Sequence, residues 1–336
     1  MLSTLALKYC HQILFDLEFL IRKEFKFKKL PTIVRMLIIQ LMDPAERLHY
    51  NKATLIENTA LAINKMSGVF NMDGLEMVFT KVTPSLIRLK NIFSNDTFES
   101  SWLKITLHEI VLNSEIVNIF LNMADRRKEF YIFDCDMPLD FKHENAFKFG
   151  TICYFDARWV TLSDMLNIRA VENVTLGETT LTSIEVRYFI SRWINCPRDM
   201  FKSMTITAME IIQLGGLFNK LVVLEHDMNP PNIGYFTLAK STSRAHKLLF
   251  IDYTLNAVVL SAWKPYDNAD RYGNIKEKFK NVYEIMELLE KEKTLENELE
   301  ESRDVTKQRE YRDQIQELER KIHELGVVYR DGRATI

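Results

Sequence analysis

The sequence predicts an α/β fold. It has an amino-terminal helical unit, a body in which short strands and helices alternate, and a carboxy-terminal helical hairpin or short coiled coil. Three observations predict it. The stretch from Trp159 to Ile206 spells out one strand–helix–strand unit, with its cap and its stop. The block from Leu30 to Met66 reads as three short helices, the first of them very apolar. Residues 274–325 are dense in charge, with apolar residues at heptad spacing at both ends.

Residues 1–27 read as an amphipathic helix. Leu5, Leu7, Ile13, Leu14, Leu17, Leu20 and Ile21 supply its apolar positions, and basic residues from Arg22 onward close it. Residues 28–68 form the helical unit. Leu30-Pro31 is an extended entry, because the residue before proline is pushed out of the helical region. Ile33, Val34, Leu37, Ile38, Leu41 and Met42 mark the apolar first helix. Asp43 caps the next helix and Pro44 suits its first position. Glu46 to Tyr50 begins that second helix. Leu55 to Met66 is the third, with Leu61, Ile63 and Met66 on one face.

Residues 69–273 form the α/β body. Trp102 to Met123 holds a strand and then a helix, while Glu129 to Met137 and Gly150 to Val160 read as strands. Strand then helix recurs at irregular spacing, which suits a leucine-rich-repeat-like arrangement without a strict consensus. Within 159–206, Val171 to Leu176 alternates apolar and polar residues and is rich in β-branched side chains, as a half-buried strand should be. Thr182 is an N-cap with Glu185 as its capping-box partner. Val186, Phe189, Ile190, Trp193 and Ile194 follow at helical spacing, Cys196-Pro197 ends the helix, and Met200 to Ile206 is the next strand. Trp159, Leu162, Leu166, Val174, Leu176, Phe189, Ile190 and Trp193 are the expected core. Further strands fall at Leu221 to His226, Lys247 to Tyr253 and Asn256 to Trp263.

Residues 274–325 are a charged helical insertion. Ile275, Phe279, Val282, Met286 and Leu289 make one apolar seam, and Tyr311, Ile315, Leu318, Ile322 and Leu325 make another. Two antiparallel helices joined near Glu301 to Asp304 compete with one long helix. Each seam is shorter than a stable coiled coil needs. Gly326 caps the run, and residues 326–336 close the chain.

With 336 residues and 47% of them apolar, the chain can bury a sizeable core. A formal net charge of −2 gives no electrostatic case for nucleic acid or an anionic membrane as the main partner. The basic run Arg22 to Lys29 reads as a solvated face. Cys10, Cys135, Cys153 and Cys196 have no close pair, which fits reduced, buried thiols better than a disulfide framework. Cys135 with Asp134, Asp136 and His143 is the nearest approach to a metal cluster, and a loop with acidic residues explains it better. The glycines lack phosphate-cradling spacing. No G-x-S-x-G supports a nucleophilic triad, and no substrate-positioning partner accompanies Asp134 and Asp136, the best local acid pair, which share one face of the strand read at Glu129 to Met137. The expectation is no catalytic residue, no metal and no cofactor. No segment reaches the ~18 apolar residues of a membrane span. The amino-terminal stretch lacks a basic leader and a small-residue cleavage site, so a cytoplasmic or nuclear protein is expected.

Two segments carry a resemblance. Trp159-Val160-Thr161-Leu162, the strand ending at Leu176, Leu181-Thr182, and Phe189-Ile190 followed by Trp193-Ile194 resemble the type-2 F-box-associated domain of the large nematode F-box protein family. Val328 to Ile336 resembles that family's closing segment. Upstream, Leu30-Pro31, Ile33, Val34, Ile38, Ile39, Met42-Asp43-Pro44, Glu46 and Leu48 resemble an F-box. The charged lead-in Phe25 to Lys29 and the run Asn51 to Thr54 depart from the F-box pattern. The resemblance implies a substrate-recruiting adaptor of a cullin-type ubiquitin ligase, with catalysis left to other subunits. Leu30, Pro31, Ile33, Val34, Ile38, Ile39, Met42, Pro44 and Leu48 would contact the ligase's small linker protein, which connects to the cullin complex. The α/β body would hold an unknown target protein. The alternative is a non-catalytic protein-interaction scaffold with a degenerate F-box and helical self-association.

Overall fold

The computed structural model describes residues 52–67, 74–219, 221–227, 233–266 and 279–336. The sequence-predicted helices at 1–27 and within 28–50 lie outside them. The chain divides into two units, Met1–Asp156 and Ala157–Ile336.

In the first unit the described elements are α1 (Lys52–Ser67), β1 (Leu75–Thr80), α2 (Leu86–Phe93), α3 (Asp96–Ser101), β2 (Trp102–His108), α4 (Ser114–Leu121), β3 (Glu129–Phe133) and β4 (Thr151–Tyr154). The strands lie parallel in the order β1-β2-β3-β4. Strands in this order need crossovers; from β1 to β3 the chain builds them from capped helices, and the connection from β3 to β4 contains none. Ser85, Asn95 and Asn113 each accept a backbone N–H from the first turn of α2, α3 and α4. The helix-covered face of the sheet is aromatic. Phe120, Phe130 and Phe149 stack in sequence at 5.9 and 5.2 Å, and Trp102 lies 6.3 Å from Phe149. In α1, Ala60 and Ile63 are buried, but Leu61 is 49% exposed. The expectation that Leu61 shares a face with Ile63 is therefore corrected, while the Met66 side chain lies outside those described. Residues two apart on a helix point some 200° from one another, so Leu61 cannot share the burial of Ile63.

The second unit contains α5 (Leu162–Leu166), β5 (Val171–Thr179), α6 (Ser183–Asn195), β6 (Phe201–Ala208), α7 (Gly215–Phe218), β7 (Leu224–Asp227), β8 (Ile233–Leu238), β9 (Leu248–Tyr253), β10 (Ala257–Trp263), α8 (Val282–Glu301), α9 (Val305–Glu324), β11 (Val328–Arg330) and β12 (Arg333–Thr335). The strand order is β5-β6-β10-β9-β8-β7-β12-β11. Only β5–β6 and β7–β12 are parallel. From β7 to β10 the strands run antiparallel, so the strand–helix alternation stops at β7. The reason is connection length. Thr254 N–H donates to the Ala257 carbonyl at 2.8 Å, closing a turn far too short for a crossover helix.

The unit read most closely from sequence is present. The Thr182 side chain accepts the Glu185 N–H at 3.3 Å, and the Glu185 carboxylate accepts the Thr182 N–H at 2.9 Å. Val186, Phe189, Ile190, Trp193 and Ile194 are buried, and Cys196 is the C-cap. Leu162 and Leu166 are a correction, because both are only half-buried while Met165 and Ile168 fill the core beside them. A second capping box, Thr161 with Asp164, starts the single turn of α5 and sets that phase.

The charged segment is two helices, joined at Ser302 to Asp304. Val282, Ile285, Met286 and Leu289 of α8 pack with Leu224, Phe236 and Phe279, while Ile322 of α9 completes the cluster. Gly326 takes φ +88° at the end of α9, a conformation glycine adopts without a Cβ clash.

Candidate functional site

The residues predicted to contact a linker protein, Leu30 to Leu48, lie outside the described residues. The candidate surface is the open face of the first unit's sheet. Side chains alternate along a strand, so this face forms rows, half-buried except at Thr106 and Cys153, which are buried. Register places Glu76, Lys104, Glu129 and Thr151 in one row, Val78, Thr106, Tyr131 and Cys153 in the next, and Thr80, His108 and Phe133 in the third. Parallel sheets are usually buried on both faces and read as runs of Val, Ile and Leu. These rows are mixed, charged and aromatic.

The rows are internally organised. The Lys104 ammonium pairs with Glu76 at 2.6 Å and sits 4.9 Å from the Tyr131 ring centre. The Tyr131 hydroxyl donates to Glu129 at 3.0 Å, and burial together with the Glu129 charge raises the phenol above its ordinary pKa. Tyr131 and Phe133 stack at 5.8 Å with a 23° tilt. Phe155, just beyond β4, is 45% exposed. At the strand ends, Lys81, Glu109 and Asp134 each take a left-handed φ of 50–63°. That turn brings the Asp134 carboxylate to 3.0 Å from His108 Nε2, while His108 Nδ1 lies 3.5 Å from the Thr80 hydroxyl. Asp134 thus lies past the end of β3, and it shares no strand face with Asp136.

Thr80, His108 and Asp134 have the order of a nucleophile, base and orienting acid. The set lacks two parts of an acyl-transfer site. The neighbouring backbone donors, Lys81 and Glu109 N–H, are already given to the His108 and Phe133 carbonyls. The Asp134 and His108 side chains are 56% and 37% exposed, so water is not excluded.

His143 Nε2 lies 3.1 Å from the Asn122 side-chain amide oxygen, Oδ1, and its Nδ1 accepts the Asn145 N–H. Among the described residues, no group of three or more His, Cys, Asp or Glu side chains is placed to hold a metal. Cys135, Cys153 and Cys196 are free and buried, and burial pushes the Cys153 thiol up to about 11. Among the described residues no helix is long and apolar enough to cross a membrane. A groove of about 560 Å³ between α8 and α9 is lined by side chains of both signs, including Lys291, Arg309, Asp313 and Glu317. Comparison with protein-family models, curated proteins and solved structures finds no match.

Sequence reasoning missed Lys104, His108, Tyr131 and Phe133 as a group. One signal was present. Val82-Thr83-Pro84-Ser85 and Val111-Leu112-Asn113-Ser114 put a helix N-cap the same distance past β1 and β2. That spacing marks two copies of one unit.

Proposed function

We propose that the chain is a substrate-recruiting adaptor of a cullin-type ubiquitin ligase, acting in the cytoplasm or nucleus and carrying out no catalysis itself. Residues 28–68 dock on the linker protein through Leu30, Pro31, Ile33, Val34, Ile38, Ile39, Met42, Pro44 and Leu48. The leucine-rich-repeat-like strands of the body hold the target. One observation supports the body's role: a parallel sheet with an open face of mixed aromatic and charged side chains, a composition suited to binding and unsuited to burial. The scaffold alternative needs the carboxy-terminal seam for self-association. Of its two seams, the first packs on the chain's own sheet through Val282, Met286 and Leu289. Affinity capture of the full chain, with identification of what co-purifies, tests the proposal. Recovery of the linker protein and cullin by the full chain, and their loss on removing residues 28–50, is the expected result. Equal recovery by both would contradict it.

A further inference from the structure

We propose that the open face of the first unit recognises a basic segment of its protein target, seating a Lys or Arg side chain over Phe133 beside the Asp134 carboxylate. This rests on the reading that the body holds a target protein, and it names the target's chemistry.

Three observations carry it. The protein already makes this contact with its own cation one row away: Lys104 lies over Tyr131 and is neutralised by Glu76. Phe133 presents the next ring of the same stack, and among the described residues no Lys or Arg lies over it. Asp134, the next residue along the chain, is more than half exposed and is held by His108, the register partner of Phe133. A cation over an aromatic face, with a carboxylate at its edge, is a favourable site for ammonium or guanidinium. Charge selects the partner class. Among the described residues, the carboxylates of Glu76, Glu129, Glu109 and Asp134 stand on this face or at its strand ends, against the ammonium groups of Lys104 and Lys81. Nucleic-acid phosphate is therefore repelled, and a basic polypeptide is attracted.

The test is fluorescence anisotropy of the full chain with two labelled peptides, one alternating Lys and Val and one with Gln in place of each Lys. The Lys peptide should bind about tenfold more tightly than the Gln peptide. Its binding should weaken between about 50 and about 500 mM salt. Phe133→Ala and Asp134→Lys should each remove the preference. Glu300→Lys, on the hairpin of the second unit, should leave it intact, which separates a site from general acidity. Equal binding of the two peptides would overturn the proposal. So would a preference that survives Phe133→Ala and Asp134→Lys in variants with unchanged thermal unfolding, or preferential binding of a single-stranded oligonucleotide. Linker-protein capture is measured on the same preparations. Its failure would count against the ligase reading alone, while charge-blind peptide binding with intact capture would count against this inference alone.

Discussion

The Arg244 guanidinium lies 3.7 Å from the centre of the Trp193 ring, and its Nη1 donates to the Trp193 carbonyl at 2.8 Å. Arg244 is 3% exposed and Trp193 is fully buried. Asp199 stands 3.5 Å from Arg244 Nε and accepts the backbone N–H groups of His246 and Ala245 at 3.0 and 3.1 Å. Burial pushes the Asp199 carboxyl up, but those N–H groups and the charges of His246 and Arg244 outweigh it and hold the pKa below the ordinary value. The end of α6 is thus tied to the connection between β8 and β9. Trp193→Ala should destabilise by ~3–5 kcal/mol. In a double-mutant cycle, Trp193→Ala with Arg244→Ala should show a coupling of about 1 kcal/mol or more. Additive losses in urea unfolding would show that the stacking contributes nothing.

The Glu292 carboxylate on α8 is 8% exposed and accepts the Tyr329 hydroxyl at 2.9 Å. Burial raises its pKa, and the hydroxyl offsets only part of that. The folded chain therefore holds this proton to a higher pH than the unfolded chain does. Its contribution is fully present below the ordinary glutamate pKa and is lost as pH rises through the raised folded value. Glu292→Gln should flatten the fall in stability over that window and leave the variant more stable at neutral pH. Thermal unfolding followed from the ordinary glutamate range upward to neutral pH checks this. A variant whose curve runs parallel to the parent's would refute it.

The hairpin should be dispensable for the oligomeric state. Its near half is seated on the sheet, whereas beyond Leu295 most side chains of α8 face water. Replacing Lys291 to Gln314 by a short flexible turn should lower stability, since Leu295 and the Glu292–Tyr329 contact go with it. The chain should stay monomeric in sedimentation at micromolar concentration. A dimer in the parent that dissociates on this replacement would favour the scaffold reading.

How much was legible follows from how local each signal is. Helix α6 could be read whole, because its cap, apolar face and proline stop are all written within one short segment. The single turn of α5 could not be phased from Leu162 and Leu166, since one turn holds too few apolar positions to define a face. The β11–β12 hairpin carried an Asp331-Gly332 signal that went unread. Both residues take positive φ, as a two-residue turn between antiparallel strands requires. The open face was hidden for another reason. Tyr131 and Phe133 were read as part of a strand, but register with β2 decides that Lys104 and His108 join them. The left-handed turns at Lys81, Glu109 and Asp134 use no glycine, so nothing in those residue types announced them.

The central claim is that residues 28–68 engage the ligase's linker protein. Titration calorimetry of the purified full chain with that linker protein tests it directly. The account predicts a single saturable binding step for the parent chain. That step should vanish in the Pro31→Ala, Ile38→Asp double variant, because the aspartate places an unpaired charge in an apolar contact. A parent chain that gives no binding heat, or a double variant with native thermal unfolding that binds as the parent does, would contradict it.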